Sequence, residues 1–134
     1  MQKKLYVGCG LTGAPEEFVR QVFQLRNDLR PHFEVLDFWS PSYIGEPKDP
    51  RMIFTWDIKQ LEESDFMLGI CDHQSFGLGY ETREELALEK RVLLVAQQDR
   101  VISEFPAGIS DPLLTFKLYK EWPEIIDLAV KHLL

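Results

Sequence analysis

Two rhythms of apolar and polar residues alternate along the chain. Residues 4–8 form a short, mostly apolar run that reads as a buried strand, and it leads into Gly8-Cys9-Gly10-Leu11-Thr12-Gly13-Ala14-Pro15. That stretch is a glycine-rich turn with a proline placed to open a helix. Over residues 16–30, Phe18, Val19, Val22, Phe23 and Leu25 recur at helical spacing, and Pro31 ends the run. A second strand is expected over residues 33–38. Residues 39–50 carry Pro41, Gly45, Pro47 and Pro50, long for an ordinary connection and therefore a candidate functional loop. Helical spacing returns over 52–63. Residues 65–71 read as a third strand, apolar enough to be covered on both faces. The pattern then predicts a loop over 72–79, a helix over 81–89, a fourth strand over 91–96 and a long loop over 97–112. A fifth strand over 115–119 and a last helix after Pro123 complete it.

Strands alternating with helices imply right-handed crossovers. The expected fold is therefore α/β, a doubly wound, flavodoxin- or Rossmann-like sheet of five parallel strands with helices on both faces, formed by residues 1–134 as a single domain. Ligands in such folds sit beyond the carboxyl ends of the strands, where the strand order reverses. The turn after the first strand, the loop after residue 38 and the loop before Glu81 should surround one crevice.

Composition narrows the partners. The chain has 134 residues, 45% hydrophobic and 28% charged, with a net charge of −7. A domain of this size buries enough surface for a core and a preformed pocket. Its longest apolar runs fall far short of the roughly 20 residues a membrane-spanning helix needs. Met1-Gln2-Lys3-Lys4-Leu5-Tyr6-Val7 has no secretory pattern, so a cytoplasmic location is expected. The acidic balance and the lack of a Lys/Arg cluster argue against a nucleic-acid polymer as partner. A single small phosphate is compatible with it, because backbone amides at a helix N-terminus can hold one. Cys9 and Cys71 are expected as small buried hydrophobes rather than a disulfide. Neither they nor Asp72 and His73 show zinc-type spacing, so no metal or other cofactor is expected.

Two features stand out as candidate chemistry. Asp57 has Ile53 and Leu61 one turn away on either side and Phe54 at the i−3 position, which puts a carboxylate on an apolar helix face. Such a group must be hydrogen bonded or lie at a pocket. A paired structural Asp and a functional one fit that spacing equally. Ser75-Phe76-Gly77-Leu78-Gly79-Tyr80-Glu81 is the second feature. Its glycines permit close approach of backbone to a ligand, and Ser75 adds a hydroxyl donor.

Taken in order, Tyr6, Asp57-Ile58 with Leu61 and Ser64-Asp65, Gly77-Leu78-Gly79-Tyr80-Glu81 and Lys90-Arg91-Val92-Leu93 resemble the nucleoside 2-deoxyribosyltransferase superfamily. Within it the chain is most similar to the 2′-deoxynucleoside 5′-monophosphate N-glycosidases. The resemblance implies that Glu81 is the nucleophile attacking C1′ of the sugar. It implies that Asp57 binds the sugar or helps protonate the departing base, and that Tyr6 positions the nucleophile. Ser75 stands where the monophosphate hydrolases have Ser and many transferases have Asp; a hydroxyl accepts a 5′-phosphate that a carboxylate would repel. Gly77, Gly79, Gly10 and Thr12 complete the implied substrate-binding set. Ser103 resembles a phosphate-binding serine supplied by the neighbouring subunit, which implies a homodimer with shared sites.

The chain also departs from that pattern. Arg83 stands where the family has Gly, and Gly10 and Thr12 stand where the most similar hydrolases have Ser and Arg. Arg83 either replaces the missing positive charge, or the preference for phosphate is weaker. Three activities follow: hydrolysis of a nucleoside 5′-monophosphate, transfer of deoxyribose between bases, or nucleotide binding with catalysis lost. Trp39 and Trp56 could stack on a base, though aromatic residues more often serve a core or interface.

Overall fold

The computed structural model describes residues 1–36, 49–100 and 104–134. The strands β1 (Lys4–Cys9), β2 (Glu34–Val35), β3 (Phe66–Ile70), β4 (Arg91–Gln97) and β5 (Leu114–Tyr119) alternate with the helices α1 (Glu16–Leu29), α2 (Pro50–Glu63), α3 (Phe76–Ala87), α4 (Phe105–Gly108) and α5 (Trp122–Leu133). All strands pair in parallel, in the order β2-β1-β3-β4-β5. This is the expected doubly wound sheet, and its order reverses between β1 and β3.

Alternation along the strands sorts the core into two layers. Leu5, Val7, Leu68, Ile70, Leu93 and Val95 face α1 and α5, where they meet Val22, Leu25, Leu29, Ile125, Ala129 and Leu133. Tyr6, Met67, Val92 and Leu94 face the other way, against Leu61 of α2 and Leu78 and Leu86 of α3. On that second face Gly8 of β1 is in register with Gly69 of β3. A Cβ at Gly69 would lie 2.5 Å from Leu94 Cδ2, and one at either glycine would lie 3.1 Å from Leu78 Cδ1. The paired glycines therefore let α3 settle close to the sheet, directly over the point where strand order reverses.

Several element bounds differ from the expected ones: of the strand expected over 33–38 only Glu34–Val35 forms among the described residues, and three further differences bear on the site. α3 begins at Phe76 rather than at 81, because Ser75 caps it: the Ser75 hydroxyl accepts from the Leu78 N–H at 3.1 Å. Gly77 and Gly79 lie in its opening turns, where glycine's low helix propensity concealed the start. α2 begins at Pro50, with the Asp49 side chain accepting from the Arg51 N–H at 2.9 Å. The segment expected as a plain loop over 97–112 includes the short α4. Residues 37–48, and with them Trp39 and most of the expected proline-rich loop, lie outside the described residues, as does Ser103. Among the described residues no helix is long and apolar enough to cross a membrane.

Candidate active site

A cavity of about 740 Å³ opens at the carboxyl ends of β1 and β3, between α2 and the N-terminal half of α3. Tyr6, Gly10, Thr12, Asp57, Ser75, Gly77 and Glu81 all line it. The structure thus gathers seven of the residues singled out in the sequence. Gly79 is elsewhere: it lines a separate cavity with Cys71, Leu94 and Phe105. Arg83 is exposed and does not line the cavity, so it does not supply the positive charge that the first loop lacks. Among the described residues, no Lys or Arg lines it at all. Trp56 is not part of the wall either.

Each side chain arrives from a distinct element. Tyr6 occupies the middle of β1, 3% exposed, with its ring on the α2/α3 side, and its hydroxyl donates to Glu81 Oε2. Glu81 projects from the second turn of α3. Asp57 enters from α2 together with Ile53, Phe54 and Ile58. Its Oδ1 is buried without a hydrogen-bond partner among the described residues. Of the two readings the spacing allowed, the structure supports a pocket carboxyl over a paired structural one. Gly10 brings the first loop against the third: a Cβ there would lie 3.0 Å from the Gln74 carbonyl oxygen and 3.0 Å from Ser75 Cβ. That approach puts Thr12 and Ser75 on one wall.

The electrostatics follow from burial. Glu81 is pushed up to about 7, first by burial; the Tyr6 hydrogen bond opposes this, and the neighbouring Asp57 and Glu85 carboxylates add to it. Burial alone lifts Asp57 to about 6. Both carboxyls therefore keep a proton to higher pH than an ordinary carboxylate does. The charged form of Glu81 is the one that Tyr6's O–H supports. Cys9 and Cys71 are each pushed up to about 12, mainly by burial, so neither is a thiolate near neutral pH. Asp72 is a structural carboxylate, accepting from the Gln97 N–H at 3.0 Å and from the Tyr119 hydroxyl. No group of three or more His, Cys, Asp or Glu side chains among the described residues is placed to hold a metal ion.

Backbone donors complete the wall. The Leu78 N–H is taken by the Ser75 hydroxyl and the Gly79 N–H by the Ser75 carbonyl, whereas the first N–H groups of a helix have no intrahelical acceptor. Those of Phe76 and Gly77 therefore remain at the positive end of the α3 dipole, beside the cavity. Because Ser75 Oγ accepts from the helix, its own proton is available to a ligand. The sequence reading missed the apolar wall of Ile53, Phe54, Ile58 and Tyr80, in which Phe54 and Tyr80 meet edge to face at 5.7 Å. The signal was there in part, since Ile53 and Phe54 are the neighbours that made Asp57 anomalous.

Similarity to known proteins agrees with this arrangement. No family model matches the chain. A 5-hydroxymethyl-dUMP N-hydrolase from Danio rerio is 31% identical over 110 residues, covering 79% of this chain and 75% of that protein. A CMP N-glycosidase from Clostridium botulinum superposes with a TM-score of 0.70 at 15% identity, over 98% of this chain and 100% of the other. A 2-deoxyribosyltransferase from Leishmania mexicana gives 0.66 at 14% identity, over 98% and 99%. The solved structures establish the shared fold, and the sequence relative establishes kinship over 110 residues of the chain. The chain belongs to the nucleoside 2-deoxyribosyltransferase-like superfamily and is an enzyme of its N-glycosidase or deoxyribosyltransferase kind.

Proposed function

We propose that this enzyme hydrolyses the base–sugar bond of a nucleoside 5′-monophosphate with Glu81 as nucleophile. The observation that carries this reading is Glu81 itself: a buried carboxyl on the cavity wall, held by the Tyr6 hydroxyl, with a second raised carboxyl, Asp57, on the same cavity. Loss of the base leaves positive charge at C1′ and the ring oxygen, and a carboxylate beside C1′ both stabilises that charge and traps it as a glycosyl ester. Glu81 supplies the electron pair for the new C1′–O bond. The C1′–N pair leaves with the base, which takes its proton from Asp57. Water then attacks the ester at C1′, giving its proton to the Asp57 carboxylate and releasing Glu81. Proton delivery of this kind is worth about 10² to 10⁴ in rate.

The phosphate side rests on neutral donors: the Ser75 and Thr12 hydroxyls and the N–H groups opening α3. The aromatic and aliphatic wall of Phe54, Tyr80, Ile53 and Ile58 suits the flat face of a base. A relative named for hydrolysing a nucleoside monophosphate supports the same assignment. A cytoplasmic homodimer belongs to this reading, with Ser103 serving the neighbouring site; light scattering tests the dimer, and a strict monomer would remove the shared site.

The test is a panel of nucleosides and their 5′-monophosphates, read by chromatography for liberated base. Base release from monophosphates, with Ser75→Asp shifting preference toward unphosphorylated nucleosides, is the expected result. An acceptor base added to the same panel separates the alternatives, because a transferase would give exchanged nucleoside in place of free sugar. Tight nucleotide binding with no base released would overturn the catalytic reading.

A further inference from the structure

One turn beyond Glu81 on α3, a second carboxyl is sealed inside the protein. Glu85 has 0% of its surface exposed. Its Oε2 lies 2.9 Å from Ser64 Oγ, and its Oε1, without a hydrogen-bond partner among the described residues, lies 3.7 Å from Lys90 Nζ. Ser64 is the residue that ends α2, its N–H donating to the Gln60 and Leu61 carbonyls. Lys90, just before β4, donates from Nζ to the same end of α2, reaching the Leu61 carbonyl at 2.7 Å and that of Glu62 at 2.9 Å. These groups join the last turn of α2 to the last turn of α3. An aliphatic side chain at position 85 would avoid the desolvation cost of such a group, so the fold alone does not call for a carboxyl here.

Counting protons shows what this arrangement tolerates. Ser64 Oγ has one proton and two acceptors in reach, the Leu61 carbonyl at 2.7 Å and Glu85 at 2.9 Å. When Glu85 is ionised, the Ser64 hydroxyl donates to it, and the Leu61 carbonyl keeps Lys90 Nζ and the Ser64 N–H as donors. When Glu85 is protonated, its O–H donates to Ser64, whose own proton turns to Leu61. Neither state breaks the link between the helices. Burial pushes Glu85 up to about 7, with Ser64 and Lys90 pulling the other way.

We propose that Glu85 is a positioning residue, clasping the carboxyl end of α2 to α3 through Ser64 and Lys90 and so fixing how Asp57 and Glu81 face one another. The inference rests on the function proposed above, since Asp57 rides on α2 and Glu81 on α3. Glu81 is faced by Tyr6 and Cys9 of β1, Asp57 of α2 and Glu85 of its own helix. Glu85 is faced by Ser64 of α2, by Lys90 and by Glu81.

The experiment measures kcat and KM for base release from about pH 5 to 9, with melting temperatures, in Glu85→Leu, Glu85→Gln and Ser64→Ala, and with Glu81→Gln as control. Glu85→Leu should melt at or above the parent temperature and yet lose about 10- to 100-fold in kcat with little change in KM. Glu85→Gln keeps an acceptor for Ser64, so it should restore most of kcat while moving the acid limb to lower pH, because a like charge beside Glu81 is gone. A folded Glu85→Leu with the parent's kcat and acid limb would overturn the proposal. If that variant does not fold, Ser64→Ala carries the same readings: a fall in kcat supports the clasp and an unchanged kcat removes it. An inactive Glu81→Gln beside unaltered Glu85 variants ends the clasp and spares the proposed function. Full activity in Glu81→Gln ends both.

Discussion

On the α1/α5 side of the sheet, the buried carboxylate of Asp72 has donors on both oxygens, the Gln97 N–H and the Tyr119 hydroxyl. On the α2/α3 side, Asp57 and Glu85 each keep one buried oxygen with no hydrogen bond from a described residue. The same strands support both sides, and alternation along β1 sends Leu5 and Val7 to one and Tyr6 to the other. A satisfied carboxylate is a structural device that holds elements together. An under-served one keeps its proton to higher pH, and on the cavity wall, as at Asp57, it has bonding capacity left for a ligand. The contrast separates a side of the molecule that maintains the fold from one that reserves free energy for chemistry.

Substitutions on the two sides should therefore fail in different ways. The largest effect is expected at Glu81→Gln, which should cut base release by about 10⁴-fold or more while leaving the melting temperature at or above the parent's. Leu93→Ala, a fully buried change on the α1/α5 side, should cost about 2–5 kcal/mol in denaturant unfolding and leave turnover per folded molecule unaltered. If both variants lost activity in proportion to stability, the contrast would be lost. Tyr6→Phe deletes the hydroxyl that favours ionised Glu81. It should lower kcat by about 10- to 100-fold and move the acid limb of the rate profile upward.

The smallest effect is one of stability against pH. Asp57, Glu81 and Glu85 are raised from 3.8, 4.5 and 4.5 to about 6, 7 and 7, so the folded state holds their protons more tightly than the unfolded chain does. Their stabilising contribution is complete below the ordinary carboxylate range and is lost as pH rises through about 6 to 7. Melting temperatures should fall by a few degrees between about pH 5 and 8, and by less in Glu81→Gln. A melting temperature that rises over that interval would contradict the assignment.

What the sequence disclosed follows a physical pattern. The runs that became β3 and β4 were legible because strands buried on both faces must be apolar, and Asp57 was legible because it breaks a helical apolar stripe. The roles proposed for Glu81 and Tyr6 came through resemblance, since no local pattern pairs residues separated by 75 positions. The start of α3 was hidden by its two glycines, although Ser75 supplied an ordinary capping signal. Glu85 was invisible for a different reason: in Glu81-Thr82-Arg83-Glu84-Glu85 it reads as part of a solvated charged face, and only the packing of α2 and β4 around it reverses that. Arg83, singled out as a departure from the family pattern, belongs to the face that remains in solvent.

The anchoring hydroxyl of Tyr6 sits on a central strand, whereas Ile53 and Phe54, on the opposite rim, stand in the opening turns of α2, with Phe54 52% exposed. Exchanging a half-exposed helix residue rarely unfolds a protein, while disturbing a central strand usually does. Under the proposed function, exchanges at 53 and 54 should therefore alter which base is accepted without disturbing the strand that carries Tyr6, and an engineer seeking a new specificity would randomise those two positions first.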